Sequence, residues 1–193
     1  MKKVSLAILF IAFSSAAFSQ SFSFGPKVGV NVSNYTGNDI ESDALVGFHL
    51  GGILNFGIGK VFSIQPEVLF STQGAKVKNV NEDYKIKTSY VTVPVMLKFR
   101  ANGGFYVEVG PQVSFKTSED IPDQTIDNFA KNLDLAVGAG IGYQAGFGLG
   151  IGARYIAGIS KVGDFDSSNI STPDFKNSVI QVSLFYAIPA RKP

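Results

Sequence analysis

The sequence contains no cysteine and no tryptophan among its 193 residues. The absence of cysteine excludes a disulfide, a thiolate metal site, a cysteine nucleophile and a lipidated cysteine anchor. After the N-terminal segment, no run reaches the roughly 18 consecutive apolar residues that a membrane-spanning helix needs. The formal net charge is only +2, and removal of Lys2 and Lys3 would leave equal numbers of acidic and basic residues. Nothing in this balance indicates a nucleic-acid partner.

Residues 1–19 have the features of a secretory signal peptide. Lys2 and Lys3 precede the apolar stretch 4–13, and a small-residue cleavage signal follows it. A chain of this length is one domain by default. We therefore expect a signal peptide at 1–19 and a single exported barrel domain at 20–193.

Glycine (21 residues) and phenylalanine (17 residues) are abundant, which suits many short strands better than packed helices. Eight runs of strand length alternate apolar and polar residues with a period of two, as strands with one apolar face do. In chain order, these runs cover 22–33, 46–56, 61–74, 89–99, 105–115, 133–144, 147–159 and 178–188.

The connections between these runs alternate between long and short. The long ones are 34–45, 75–88, 117–132 and 161–177, and the short ones are 57–60, 101–104 and 145–146. Antiparallel barrels of outer membranes have long loops outside and tight turns on the periplasmic side. Tilted strands of about 9–11 residues span a bilayer, and only a closed barrel leaves no unpaired sheet edge in lipid. The pattern predicts an all-β fold, an eight-stranded antiparallel transmembrane β-barrel with both termini in the periplasm.

The apolar faces of the eight runs carry no Asp, Glu, Lys or Arg, although these residues make up 17% of the sequence. A charge facing lipid at mid-membrane costs about 2–4 kcal/mol, which accounts for this exclusion. A soluble β-sandwich also alternates, but it would carry many charges on its wet face. Here most of the remaining acidic residues fall in the predicted long connections.

The polar faces carry six charges, three basic and three acidic. They are Lys27, Lys98, Arg154, Glu67, Glu108 and Asp134. Because charges withdrawn from water must be paired, we expect a structural salt-bridge network that fills the barrel interior. Lys98 and Glu108 flank the turn at 101–104 and should be neighbours on one face, and Lys27, Glu67 and Arg154 lie near mid-strand, where a narrow barrel lets them meet across the lumen. The alternative is a proton or ion path, since paired intramembrane charges also mark relays.

Several motifs follow one another in a characteristic order. They are Gly25–Asn31, Pro66–Phe70, Gln73-Gly74, Tyr90–Phe99, Gly110-Pro111, Gly138–Tyr143, Ala153–Tyr155 and Gly158-Ile159. In order and spacing these motifs resemble the PorT-like outer-membrane β-barrel family, an eight-stranded group related in architecture to the OmpA barrel. The resemblance implies location in the outer membrane. The founding member is associated with protein secretion, whereas most members have no assigned activity.

The only histidine, His49, is predicted to face the interior. A hydrolase would need a serine or acid held within hydrogen-bond reach of it, and the sequence has no His-x-Ser spacing and no G-x-S-x-G elbow. We therefore expect His49 to be an interior polar residue. The protein is predicted not to be an enzyme and to have no catalytic residue, no cofactor and no metal.

Glycines of the sixth and seventh runs are predicted to face the interior as well. They are Gly138, Gly140, Gly142, Gly148, Gly150 and Gly152. They either make room for Arg154, Tyr106 and Tyr90 or line a ligand-sized pocket; an eight-stranded interior is normally just filled by side chains.

Two acidic segments, 38–43 and 119–123, are predicted to be solvated loops. Neither matches a calcium-binding loop, and loops of this kind often carry the interactions of a protein. We expect a structural or envelope-interaction role without a large pore, and small-ligand or ion transport through the Gly-lined interior is the alternative. The expected partners are outer-membrane lipid, the barrel-assembly machinery, and a surface or secretion-machinery protein that contacts the acidic loops.

Overall fold

The computed structural model describes residues 20–36, 42–59, 61–77, 84–120, 133–159 and 176–190, and the predicted signal peptide lies outside these ranges. Within them, no helix is long and apolar enough to cross a membrane. The described chain is almost entirely strand. The strands are β1 (Gln20–Thr36), β2 (Ser42–Ile58), β3 (Phe62–Val77), β4 (Tyr84–Arg100), β5 (Phe105–Asp120), β6 (Leu133–Gln144), β7 (Leu149–Gly158), β8 (Lys176–Tyr186) and β9 (Ile188–Pro189).

The strands close into a barrel. Each of β1 to β7 pairs antiparallel with the next strand, and β1 also pairs antiparallel with β8. The two-residue β9 continues the last strand after Ala187 and pairs with β1, where Ile188 faces Phe24. The predicted eight-stranded antiparallel barrel is confirmed.

Successive residues alternate between the inside and the outside of this barrel. In β6, for example, Leu133, Leu135 and Val137 are exposed while Asp134 and Ala136 are buried. Bulky apolar side chains therefore form the outer surface, where β-branched and aromatic residues suit strand geometry. The interior is mainly polar, so this surface has the arrangement that lipid requires.

Several strands are longer than the sequence pattern indicated. Residues 34–36, 42–45, 75–77, 84–88 and 117–120 were expected in connections but belong to strands. The prediction was wrong there because a strand that has left the membrane no longer needs an apolar face, while its backbone hydrogen bonds continue. The same correction applies to the acidic segments.

Of those acidic segments, Asp43 lies in β2, and Glu119 and Asp120 lie at the end of β5. Asp120 faces Lys87 of β4 in the ladder. Residues 38–41 and 121–123 lie outside the described residues.

Tight turns join the strands at one end of the barrel, and a glycine with positive φ lies at each of them, beginning with Gly59 (φ +70°) directly after β2. Gly104 (φ +90°) ends the β4–β5 turn, where its amide donates to the carbonyl of Ala101 at 3.0 Å. Gly148 (φ +104°) does the same in the β6–β7 turn, where its amide donates to Ala145 at 2.9 Å. Glycine adopts this conformation without steric cost. The β6–β7 turn includes Phe147, so β7 begins two residues later than predicted.

Aromatic side chains ring the outer surface near this short-turn end. Ring centroids lie 5.2 Å apart for Phe105 and Tyr143 and 5.1 Å apart for Phe62 and Phe99, each pair joining neighbouring strands. Phe105 is 68% exposed. Aromatic girdles of this kind mark the level of the lipid headgroups in outer-membrane barrels.

Candidate functional site

The centre of the barrel interior is a cluster around the carboxylate of Glu67. Lys27 Nζ lies 3.0 Å from Glu67 Oε2 and 3.1 Å from Oε1. Arg154 makes a two-pronged contact from the opposite wall, with its terminal nitrogens 2.8 and 3.0 Å from the two carboxylate oxygens. The Glu67 side chain is fully buried. Planar pairing of this kind is the strong form of an Arg–carboxylate contact.

Arg154 also links this carboxylate to a second one. Its Nε donates to Glu108 Oε1 at 2.8 Å, so a single guanidinium contacts acids of both β3 and β5. Glycine makes room for this side chain, since a Cβ on Gly138 would lie 3.3 Å from Arg154 Cδ. A Cβ on Gly140 would lie 3.2 Å from Glu108 Oε1.

Lys98 joins the cluster through Gln65. Gln65 donates from its amide nitrogen to Glu67 at 2.8 Å and accepts from Lys98 Nζ at 3.1 Å. The same ammonium lies 3.8 Å from the centroid of the Tyr106 ring and 4.6 Å from that of Phe185, at distances typical of cation–π contacts. Lys98 is 2% exposed.

Five of the six predicted interior charges thus belong to one connected group. Lys98 and Glu108 also face each other in the β4–β5 ladder, as their positions on either side of the short turn predicted. The sixth, Asp134, is buried on the inner face of β6 opposite Ser114. Their structural role remains a prediction.

A second interior cluster is centred on His49. The Asn31 side-chain nitrogen donates to the carbonyls of Phe48 and Thr72 at 3.1 and 3.0 Å, so its oxygen Oδ1 faces His49 Nδ1 at 2.7 Å. That nitrogen of His49 must therefore carry the proton. The other ring nitrogen, Nε2, accepts from the hydroxyl of Ser183 at 2.8 Å.

The Ser183–His49–Asn31 chain has the hydrogen-bond connectivity of a serine hydrolase triad. Sequence reasoning missed it because Ser183 lies 134 residues after His49. The strand register would have revealed the contact, because His49 of β2 and Ser183 of β8 both face Gly29 of the intervening β1. His49 and Ser183 are 0% and 5% exposed, so both side chains are buried in the barrel interior.

Side chains of β1 bond to backbone groups near the place where the β2–β3 register shifts, between Ala44 and His49. Asn31 supplies donors to carbonyls at this irregularity, as described above. Ser33 Oγ donates to Gly74 O at 2.8 Å and accepts from Gly74 N at 2.9 Å. A buried backbone group without a partner is costly. The inner polar residues Asn31 and Ser33 of β1 therefore stabilise the sheet by bonding to backbone groups at this irregularity.

Large side chains occupy the space above the interior glycines. A Cβ on Gly142 or Gly152 would overlap Tyr106, and one on Gly150 would overlap the Phe185 ring. The expectation that these glycines make room for Arg154 and Tyr106 agrees with the structure. Phe185, rather than Tyr90, is the third occupant. In the part of the chain that the structure describes, the side chains of Tyr106, Arg154 and Phe185 are among the nearest neighbours above these glycines.

No group of three or more His, Cys, Asp or Glu in the described part of the chain is arranged to hold a metal ion. The contacts described above are ion pairs, hydrogen bonds and cation–π contacts between side chains and backbone of the barrel's own walls.

A family model described as outer membrane protein beta-barrel domain matches residues 18–164. No protein with a curated description matches the sequence significantly. Among solved structures, Neisserial surface protein A has a TM-score of 0.57 at 13% identity, covering 84% of this chain and 96% of that one. OprG from Pseudomonas aeruginosa has a TM-score of 0.52 at 12% identity, covering 88% and 96%. At such identities these two likenesses show the fold alone.

Proposed function

Because the chain belongs to the outer membrane protein beta-barrel domain family, we propose that it acts in the outer membrane in a structural or envelope-interaction role, without a large pore. The observation that carries this proposal is the occupied interior. Lys27, Glu67 and Arg154 join three separate walls of the barrel through ion pairs of 2.8–3.0 Å, and side chains that occupy the lumen in this way support a barrel without a large pore.

Electrical recording tests this proposal directly. The purified protein, reconstituted into planar bilayers, is expected to give no sustained openings, because an eight-stranded barrel with a filled interior has no water-filled path. A general porin in the same bilayers provides the positive control, and protein-free detergent provides the blank. Discrete openings that respond to a solute would favour the transport alternative instead.

We further propose that the protein is not a hydrolase, despite its buried serine–histidine pair. The support is burial, since a nucleophile must be reached by its substrate before the geometry of a triad matters. A fluorophosphonate probe is expected to leave the folded protein unlabelled, and phospholipid incubated with it should stay intact. Labelling of the folded wild type that disappears in Ser183→Ala would reverse this conclusion, and its loss in His49→Asn would identify the base.

Finer assignments within the family are also proposals. The order of motifs from Gly25 to Ile159 supports a PorT-like member, and the composition of residues 1–19 supports export through a cleaved signal peptide. The proposed partners are the barrel-assembly machinery, which membrane insertion of a barrel requires, and a protein that contacts the acidic ends of the long connections.

A further inference from the structure

The barrel interior contains a small polar cavity at its short-turn end, which we call the mouth cavity. Its volume is about 30 Å³, which is room for about two water molecules or one small ion. Lys98 and Arg100 both lie on the inward-facing row of β4, because they face Glu108 and Tyr106 of the inner row of β5. The polar side chains that line the mouth cavity are those of Ser21, Asn55, Ser63, Lys98, Arg100 and Gln144.

The buried ammonium group of Lys98 has unused hydrogen-bond donors beside this cavity. An ammonium group has three N–H donors, and among the described residues only Gln65 Oε1, at 3.1 Å, accepts from it. Glu108 faces Lys98 in the ladder, but its carboxylate contacts Arg154 instead. No carboxylate of the described residues therefore lies within ion-pair distance of Lys98 Nζ.

Ser63 adds a hydroxyl donor next to this ammonium group. It faces Lys98 in the β3–β4 ladder, and its Oγ accepts from Asn55 Nδ2 at 3.1 Å. The second hydrogen of that amide is donated to Gln65 Oε1 at 3.2 Å. The hydroxyl hydrogen of Ser63 has no acceptor among the described residues, so it remains available to a ligand in the mouth cavity.

The charge balance of the barrel leaves this end without an anionic partner. The connected interior group contains three cations and two carboxylates, and Arg100 adds a further positive charge at the mouth. Asp134 is too distant to compensate, because it lies ten residues before Gln144 on β6, roughly 33 Å along the strand. In the sequence, every other Asp and Glu falls within 39–43, 82–83, 119–127 and 164–174, in or beside the long connections at the opposite end. Because a buried charge without a counter-charge is costly, an anion from the solvent would be stabilised here.

We propose that the mouth cavity binds one monatomic anion of the size of chloride, with Lys98 as its main ligand and Ser63 and Arg100 as further donors. The ammonium group supplies charge-assisted hydrogen bonds, which are the strong kind. A volume of about 30 Å³ favours a single small ion over phosphate or a carboxylate ligand. The anion balances the interior network as a bound counter-ion, and the inference does not depend on the proposed envelope role.

Chloride NMR of the folded protein in dodecylphosphocholine tests the site, because exchange with a bound state broadens the chloride signal and added bromide reverses the broadening. Lys98→Met should lower the affinity for chloride about tenfold, since it removes the charged donor. Arg100→Gln should lower it about threefold, because Arg100 is exposed and solvent screens its charge. Lys116→Met removes one cation from the opposite end of β5 and should leave the affinity unchanged. Ser63→Val keeps both cations but fills part of the cavity, so it tests the site even if Lys98→Met does not fold.

Crystals grown in sodium bromide locate the ion by anomalous scattering, and a peak is expected against Lys98 Nζ in the wild type but not in Lys98→Met. Heat-dependent gel mobility shows whether each variant is folded. Equal effects of Lys98→Met and Lys116→Met would show attraction by net charge alone and would overturn the proposal, as would bromide peaks only at other positions. Displacement of chloride by phosphate or acetate as readily as by bromide would show an open cationic surface instead of a fitted cavity, and this result also overturns it.

Discussion

Replacement of Glu67 by alanine is expected to lower the free energy of unfolding by about 3–5 kcal/mol, the usual cost of removing one partner of a buried ion pair. The substitution removes the carboxylate that Lys27 and Arg154 share, and both cations are at most 5% exposed. Arg154 keeps its contact with Glu108 at 2.8 Å, whereas Lys27 loses both hydrogen bonds to a carboxylate.

The measurement is urea unfolding of the protein in lipid vesicles, followed by far-ultraviolet circular dichroism because the chain has no tryptophan to report fluorescence. A double-mutant cycle with Lys27→Met isolates the pair. In the Glu67→Ala background, Lys27→Met should cost far less than it does alone, or even stabilise, because it removes an unpaired charge. Additive losses would show that the two side chains act independently and that the network is not a structural unit.

Gly152→Ala is expected to destabilise the barrel by about 1–3 kcal/mol, the range for overfilling a packed interior. A Cβ at this position would overlap the Tyr106 hydroxyl, while its other nearest neighbours, Tyr106 Cζ and Ile141 O, would lie at ordinary contact distances of 3.4 and 3.5 Å. The conflict is thus with one oxygen atom. The unfolding measurement described above gives the magnitude.

Tyr106→Phe removes that oxygen and provides the matched control. The aromatic ring that contacts Lys98 remains, so the single variant should be close to wild type in stability. In the Tyr106→Phe background, Gly152→Ala should cost much less stability than it does in the wild type. An equal loss in both backgrounds would mean that backbone strain at Gly152, rather than the contact with Tyr106, sets the cost.

The faces of the barrel were readable from the sequence because lipid imposes a local rule on every second residue. A run such as Val91, Val93 and Val95 identifies its own outward side without any knowledge of its neighbours. The same rule places Lys27, Glu67 and Arg154 inside. The rule no longer applies beyond the membrane boundary. For that reason the start of β4 and the end of β5, where Lys87 lies opposite Asp120, were predicted as connections.

Partners within the interior were harder to predict because they depend on register between distant strands. Lys98 and Glu108 are separated by one short turn, and their apposition followed from sequence. The mid-strand positions of Lys27, Glu67 and Arg154 also predicted that these side chains meet across the lumen, as they do. The contact of His49 with Ser183, 134 positions apart, was missed. That pair requires the stagger of every intervening strand, which a single sequence does not encode in any local pattern.

The seam between β1 and β8 has a consequence for how the barrel is made. His49, Gly29 and Ser183 meet across it, so the first and last strands must be present together before either edge is satisfied. Pairing between strands so far apart in the sequence forms slowly, because the entropy of closing the loop is lost before the contacts form. Both strands therefore have to be available before the barrel closes, and until then β1 and β8 offer two open edges to any extended polypeptide. Protection of those edges before closure is a kinetic requirement that follows from the connectivity.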